Sequence, residues 1–300
     1  QLSPEEMVEN VRENHSAHFG SGKFILTIGG EHSVTNGPLR SIAGFEHPEN
    51  VTILQIDAHP DLRDTDADFR DEPYGPYFHG SVMRRAHELG YNIVQVGIRT
   101  YSKEESDFIR DKKITVFEWG LGHTYDVRKI IESIPTEKVY LTLDIDGIDP
   151  IHMPATGTPV QGGLEWDYLF DLIKELFKKK DVIAADIVET APRPADILTE
   201  YGAALITNNL IANKILKEKS SPKPEKLIGP SVVGKPVTEA SSLKEIFEGS
   251  LPAFGGAYLK RVYSILREAI ANNVPLVVTV AGPVTVSDQH RAWLIPLLET

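Results

Sequence analysis

The sequence predicts an α/β fold on a doubly wound parallel sheet, followed by the beginning of a second α/β domain. Two observations carry this expectation. Six apolar runs of strand length, at 24–28, 51–56, 92–98, 114–117, 139–143 and 182–187, alternate with helical patterns, and such alternation yields parallel strands with helices on both faces. Three of the runs lead directly into clusters of His, Asp and Glu beside Gly or Pro, at the carboxyl ends of strands where an open parallel sheet lines its ligand crevice.

The first helix opens at Ser3-Pro4-Glu5-Glu6, a capping box with Pro at the first helical position, and runs to about His18. The six strands follow with helical segments between them. The pattern is lost over 217–229, where KEKSSPKPEK is charged, holds two prolines and has nothing apolar to bury, so this stretch reads as a linker. It divides a first domain, 1–216, from residues 230–300. Charge divides similarly: residues 1–225 hold 24 basic and 37 acidic side chains, net −13, against 7 and 6, net +1, in 226–300. Beyond the linker, 242–272 is largely helical with an interruption at Gly255-Gly256, and 275–281 (PLVVTVA) reads as a buried strand. So short a second segment is expected to be a truncated α/β domain. The chain starts with Gln1 and ends at Thr300 just after an apolar helical stretch, so both ends look like cuts through a longer polypeptide.

Of the 300 residues, 41% are hydrophobic and 25% charged, as in a soluble globular protein. No run approaches the roughly 18 apolar residues of a membrane span, and residues 1–14 lack the basic and apolar regions of a signal peptide, so a cytoplasmic protein without membrane contact is expected. There is no cysteine, which excludes disulfides, zinc–thiolate sites and thiol nucleophiles and leaves His, Asp and Glu to hold any metal. A net charge of −12 argues against a nucleic-acid partner and suits either a small cationic substrate or plain solubility.

The chemistry concentrates at three strand ends: Gly29-Gly30-Glu31-His32, Asp57-Ala58-His59-Pro60-Asp61, and Asp144-Ile145-Asp146-Gly147-Ile148-Asp149-Pro150. Alternate residues of an extended chain face the same way, so Asp57, His59 and Asp61 form one set of ligands and Asp144 and Asp146 another. With His32 they make four carboxylates and two imidazoles. An isolated Asp-x-His-x-Asp is ordinarily solvated surface, but three such clusters converging at strand ends need cations to offset their mutual repulsion. Two divalent ions would do so, and a carboxylate-rich N/O set fits manganese best.

The motifs GGEHS, DAHPD and DIDGIDP resemble the signatures of the ureohydrolase superfamily, which includes arginase, agmatinase, guanidinobutyrase and formimidoylglutamase. The resemblance covers about 23–216 and implies an arginase-like three-layer α/β/α fold. It implies one manganese on His32, Asp57, Asp61 and Asp144, and a second on His59, Asp57, Asp144 and Asp146, with Asp57 and Asp144 bridging. It also implies that an N-terminal part of the fold precedes Gln1 and that the protein is a homo-oligomer. Glu31 stands where the family more often has Asp, a position outside the ligand set at which little consequence is expected. His79, in FHGSVM, resembles the histidine that shuttles a proton to the departing amine. Glu189, in DIVETAP, resembles the substrate glutamate, which would take two N–H bonds from a planar guanidinium. Asp61 resembles the residue that orients the attacking water. Thr156-Gly157-Thr158-Pro159 with Gly162-Gly163 looks like the loop that closes over the site.

Leu62-Arg63-Asp64, FHGSVMRRA and QVGIRT are agmatinase-like, which implies hydrolysis of agmatine to putrescine and urea in polyamine biosynthesis, with arginine or a guanidino acid as the alternative substrate. A catalytically inactive metal-binding domain is the competing reading, and the complete set of His and acidic residues tells against it. His15, His18, His87 and His123 have no partner motif and read as structural or surface residues; Trp119 and Trp166 read as packing. In the last segment, GPSVVGKPV and VPLVVTVAGPVTVSDQHRAWLIPLLET resemble the start of a deoxyhypusine synthase-like domain. That family uses NAD and a spermidine-derived group, so both halves would meet in polyamine chemistry.

Overall fold

The computed structural model describes residues 2–67, 71, 75–120, 122, 124–194, 196–220 and 271. The chain divides into units 1–224 and 225–300. His123 and the segment expected to begin a deoxyhypusine synthase-like domain, apart from Ala271, lie outside the described residues.

All six expected strands form, with ends within one residue of the sequence reading: β1 (Ile25–Ile28), β2 (Val51–Ile56), β3 (Asn92–Ile98), β4 (Thr115–Glu118), β5 (Lys138–Asp144) and β6 (Asp181–Val188). They make one parallel sheet in the order β1-β6-β5-β2-β3-β4. The helices are α1 (Pro4–Phe19), α2 (Asn36–Ile42), α3 (Val82–Leu89), α4 (Lys103–Lys112), α5 (Val127–Ser133), α6 (Trp166–Lys179) and α7 (Leu198–Ser220). Helix α7 takes in the first four residues of the expected linker, a correction to its start. Lys217 and its neighbours are adequate helix formers, and Lys217 Nζ donates to Lys180 O at 2.5 Å.

Every residue of β2 is buried, because helices cover both faces and the strand alternates between two cores. Leu54 and Ile56 join Leu141, Leu143, Leu172 and Phe177 on one side; Val51 and Ile53 join Leu39, Met83, Tyr140 and Ala184 on the other. Trp119 packs against Tyr125 and Tyr168, and Trp166 against Phe170, as expected of packing residues.

The topology decides where a ligand can sit. From β2 the chain proceeds outward through β3 to β4, then returns to the other side of β2 as β5 and continues outward to β6. The connections therefore diverge between β2 and β5, and the crevice at the carboxyl ends of these strands is the switch point at which open α/β sheets bind ligands. Register levels the strand ends: Ile56 pairs with Leu143, Asp144 with Val188 and Ile28 with Ile187. Gly97 permits the tight approach of β3 to this rim. Its φ is +100°, and a Cβ there would lie 2.7 Å from Asp57 O.

Helix α1 forms the expected capping box, with Ser3 Oγ accepting from Glu6 N at 3.2 Å and Glu6 Oε2 accepting from Ser3 N at 2.8 Å. Its inner face buries His15, whose Nδ1 lies 2.8 Å from Ser41 Oγ on α2, and burial pushes this imidazole down to about 4. An unfolded histidine titrates near 6.5, so below that pH the unfolded chain takes up a proton that the folded one refuses. Stability should fall from pH 6.5 to pH 4 by up to about 3 kcal/mol on account of this residue. His15→Asn keeps a partner for Ser41 without titrating, and urea unfolding across this range should show a shallower decline for the variant; parallel curves would rule the assignment out.

Candidate metal centre

Apart from His79, which opens the 3-10 turn His79–Ser81 before α3, the sequence-derived site residues come from the carboxyl ends of four adjacent strands. After β1 the chain turns through Gly29 and Gly30 to place His32 at the start of a short 3-10 turn, His32–Thr35. After β2 come Asp57, His59 and Asp61; β5 ends at Asp144, and the turn Ile145–Gly147 presents Asp146. Glu189 follows β6 directly.

His32 Nδ1 lies 3.2 Å from Asp57 Oδ2, 2.9 Å from Asp61 Oδ2 and 3.3 Å from Asp144 Oδ2. His59 Nδ1 lies 3.0 Å from Asp146 Oδ2 and 3.6 Å from Asp57 Oδ1. Two groups result, His32 with Asp57 and Asp61, and His59 with Asp57 and Asp146, each with ligand atoms within 4.8 Å of one another. Asp57 belongs to both, one oxygen facing each way. Backbone amides orient the carboxylates: His59 N donates to Asp57 Oδ1 at 2.6 Å, Asp146 N to Asp144 Oδ1 at 2.8 Å, and Ala58 N to Asp146 Oδ1 at 3.0 Å.

The donor set fits divalent cations. His32 Nδ1 and Asp61 Oδ2 are buried and 2.9 Å apart, yet neither makes an aligned hydrogen bond among the described residues. Electrostatics agree. Burial together with Asp146 and Asp57 pushes Asp144 well above the carboxylate range, and burial with Asp57 raises Asp61 to about 8 and raises Asp146 as well. Burial opposes the low pKa of Asp57, but the neighbouring His32 and His59 imidazoles outweigh it. Burial also works against charging the imidazoles, yet the carboxylates drive His32 well above its ordinary value and His59 to about 11. The cluster draws in positive charge by any available means, and protons are the weaker substitute for metal ions.

Asp61 and Glu189 are non-glycine residues at positive φ, 53° and 65°. Such backbone persists where surrounding bonds over-determine it: Asp61 O accepts from Met83 N and Arg84 N at the start of α3, and Glu189 N donates to Gly30 O at 2.8 Å. Glu189 Oε1 accepts His32 N at 2.6 Å, and burial raises the carboxyl's pKa. His79 lies beside Glu31, which accepts from both its backbone N and, at 3.1 Å, its Nδ1. Glu31, expected to matter little, thus fixes His79, and the extra methylene of Glu over Asp lengthens its reach. Hydrogen bonding to Glu31 raises the His79 pKa, against burial and with help from Asp61 and Glu189. A cavity of about 300 Å³ opens from His59, Asp61 and His79 toward Arg63, Tyr101 and Thr158.

The sequence model of the arginase family matches residues 1–212. The chain belongs to the arginase family. As a ureohydrolase it is similar to the N(1)-aminopropylagmatine ureohydrolase of Synechocystis sp., 38% identical over 214 residues that cover 70% of this chain and 67% of the relative. The enzyme of the same name from Thermus thermophilus is 33% identical over 215 residues, 71% of this chain and 70% of that protein. Among solved structures, the agmatine ureohydrolase of Thermoplasma volcanium superposes with a TM-score of 0.64 at 31% identity, covering 74% of this chain and 72% of that one.

The ureohydrolase site rests on a polar row that the sequence reading passed over. Gln95, Gln55, Thr142 and Asp186 pair across β3, β2, β5 and β6, all buried. Gln95 Nε2 donates to Gln55 Oε1 at 2.5 Å, and Gln55 Nε2 donates to Asp57 Oδ2 at 2.8 Å. Asp186 accepts from Thr142 Oγ1 at 2.7 Å, Tyr140 OH at 2.6 Å and Thr35 Oγ1 at 2.7 Å. With its one hydrogen given to Asp186, Thr142 Oγ1 accepts from His32 Nε2 at 2.9 Å, leaving Nδ1 as the ligand atom. A carboxylate inside an apolar strand was the available signal, since buried Asp is rare unless partnered. Thr142→Val should weaken metal binding by about 10- to 100-fold; equilibrium metal titration of the folded variant measures this, and wild-type affinity would contradict the relay.

Proposed function

We propose that this ureohydrolase is a dinuclear, manganese-dependent enzyme that hydrolyses the guanidino group of agmatine or an N-substituted agmatine to urea and an amine. The observation that carries it is the gathering of His32, Asp57, His59, Asp61, Asp144 and Asp146 with Glu189 at the ends of adjacent parallel strands. His32, Asp57, Asp61 and Asp144 would hold one ion, and His59, Asp57, Asp144 and Asp146 the other. When bound, such a pair of hard divalent cations lowers the pKa of water toward neutrality and so supplies a nucleophile for a resonance-stabilised carbon.

The chain's own residues do the rest. Glu189, whose Oε1 is oriented by His32 N, would offer its two carboxylate oxygens to two parallel N–H bonds of a planar guanidinium, which would fix the carbon toward the ligand cluster. Asp61, held by its strained backbone, orients the attacking water. His79 stands on the cavity wall as the proton donor, and Glu31 holds it charged for release of the amine. Glu105 also lines the cavity, but its Oε1 accepts Leu62 N and its Oε2 accepts Ser102 N and Oγ, so it braces the wall. Arg63 faces Glu105 at 3.8 Å.

The names of the relatives support agmatine-type substrates, and so does a cavity that combines carboxylates with an already engaged Arg63. An α-carboxylate such as arginine's would enter without a dedicated partner. Urea release with manganese should therefore favour agmatine or N(1)-aminopropylagmatine over arginine by about tenfold or more in kcat/KM, and equal turnover of arginine would refute the substrate assignment. Metal analysis of the same protein should find two ions.

Asp144→Ala should lose activity more completely than His79→Ala. Proton transfer contributes about 10²–10⁴-fold and buffer can replace part of it, whereas Asp144 supports the whole cluster. Steady-state urea release from both variants, with imidazole added, checks the order; recovery of Asp144→Ala by imidazole would reverse the roles.

A further inference from the structure

Arg99 follows β3 and carries no role in the mechanism above, yet its guanidinium is half-buried against the ligand cluster. It makes six hydrogen bonds, all to backbone carbonyls. Nη2 donates to Asp146 O at 2.6 Å and Val160 O at 2.7 Å; Nη1 donates to Gly97 O at 2.8 Å and Gly147 O at 3.3 Å; Nε reaches Val160 O and Gln161 O, both at 3.2 Å. Its own N–H donates to Ala58 O at 2.9 Å, between Asp57 and His59. One side chain thus ties the end of β3, the turn that presents Asp146, and the loop 157–163.

That loop touches the ligand set directly, because Thr158 Oγ1 donates to Asp146 Oδ2 at 2.9 Å. Its far end is held separately, Gly162 N and Gly163 N donating to Asp149 Oδ2 at 2.7 and 3.0 Å. Between these two attachments the loop is anchored at Val160 and Gln161 by Arg99. A lysine could not replace it, since one ammonium cannot reach carbonyls in three segments, whereas a planar fork with five N–H donors can. The positive charge is also suited to its place: burial lowers the Arg99 pKa, but Asp146, Asp57, Asp149 and Asp144 all favour the charged form.

We infer that Arg99 is a positioning residue which clamps the loop 157–163 onto the Asp146 turn, so that Thr158 and Asp146 are set together for one of the two ions. It acts on the His59–Asp57–Asp146 group and leaves the His32–Asp57–Asp61 group to the polar row beneath it. This rests on the proposed dinuclear site.

The test uses the full chain with Arg99→Lys, which keeps the stem and the charge, and Thr158→Val, which cuts the loop's side-chain tie and leaves Arg99 in place. Manganese titration should show one of the two ions weakened by about 10- to 100-fold in both variants, with the other near its wild-type affinity. Hydrogen exchange on the metal-free proteins should show the amides of 157–163 exchanging about tenfold faster or more in Arg99→Lys, with those of β2 and β5 unchanged. Equal loss of both ions would make Arg99 a general structural residue, and wild-type titration and exchange would make it dispensable; either overturns the inference. If the wild-type chain itself bound no manganese, the dinuclear reading would fail, and unchanged loop exchange in Arg99→Lys would then separately overturn the clamp.

Discussion

Four carboxylates and two imidazoles share one crevice, and most of the surrounding structure answers that charge. Carboxylates at such distances raise one another's pKa and resist burial unless cations and hydrogen-bond donors compensate. The chain supplies donors from every side: the amides of Ala58, His59 and Asp146, the side chains of Gln55 and Thr158, and the Thr142–Asp186 pair behind His32. Among the described residues these donors leave His32 Nδ1 and Asp61 Oδ2 without an aligned hydrogen bond, which suits them to bind a cation.

The sheet makes that concentration of charge possible. Its strand order brings the ends of β1, β6, β5 and β2 side by side, so residues distant in sequence meet without long loops. The same order puts Arg99 at the end of β3, one strand farther along, where a single guanidinium spans from the sheet to the covering loop. Backbone strain is concentrated here too. Among the described residues, two of the three non-glycine residues at positive φ are Asp61 and Glu189, and the third, Lys113, is an ordinary helix cap.

In the proposed reading, substrate recognition and proton transfer lie on the outer side of the cluster. Glu189 is braced by the backbone of His32, and His79 by Glu31, the residue that precedes His32. The short segment after β1 therefore contacts both Glu189, the proposed guanidinium acceptor, and His79, the proposed proton donor, and itself carries the candidate ligand His32. The Glu31 carboxylate itself accepts from Ser33 N and from His79, so a change there would act first on the placement of His79.

The fold class and the six strands were legible in the sequence because a strand buried on both faces must be apolar along its length, and the runs at 51–56 and 139–143 show this without any partner in view. The candidate ligand cluster was legible because alternate spacing in Asp57-x-His59-x-Asp61 and Asp144-x-Asp146 is itself a local geometry. Relations between strands were not. Thr142 and Asp186 appear as ordinary interruptions until register sets them side by side under His32, and Arg99 is one more arginine until its donors meet five carbonyls from three segments. Local sequence determines which residues can be strands, caps and ligands, since those properties depend on near neighbours. Which hydroxyl fixes a tautomer, and which cation pins a loop, depends on contacts across the sheet, and only the tertiary structure decides them.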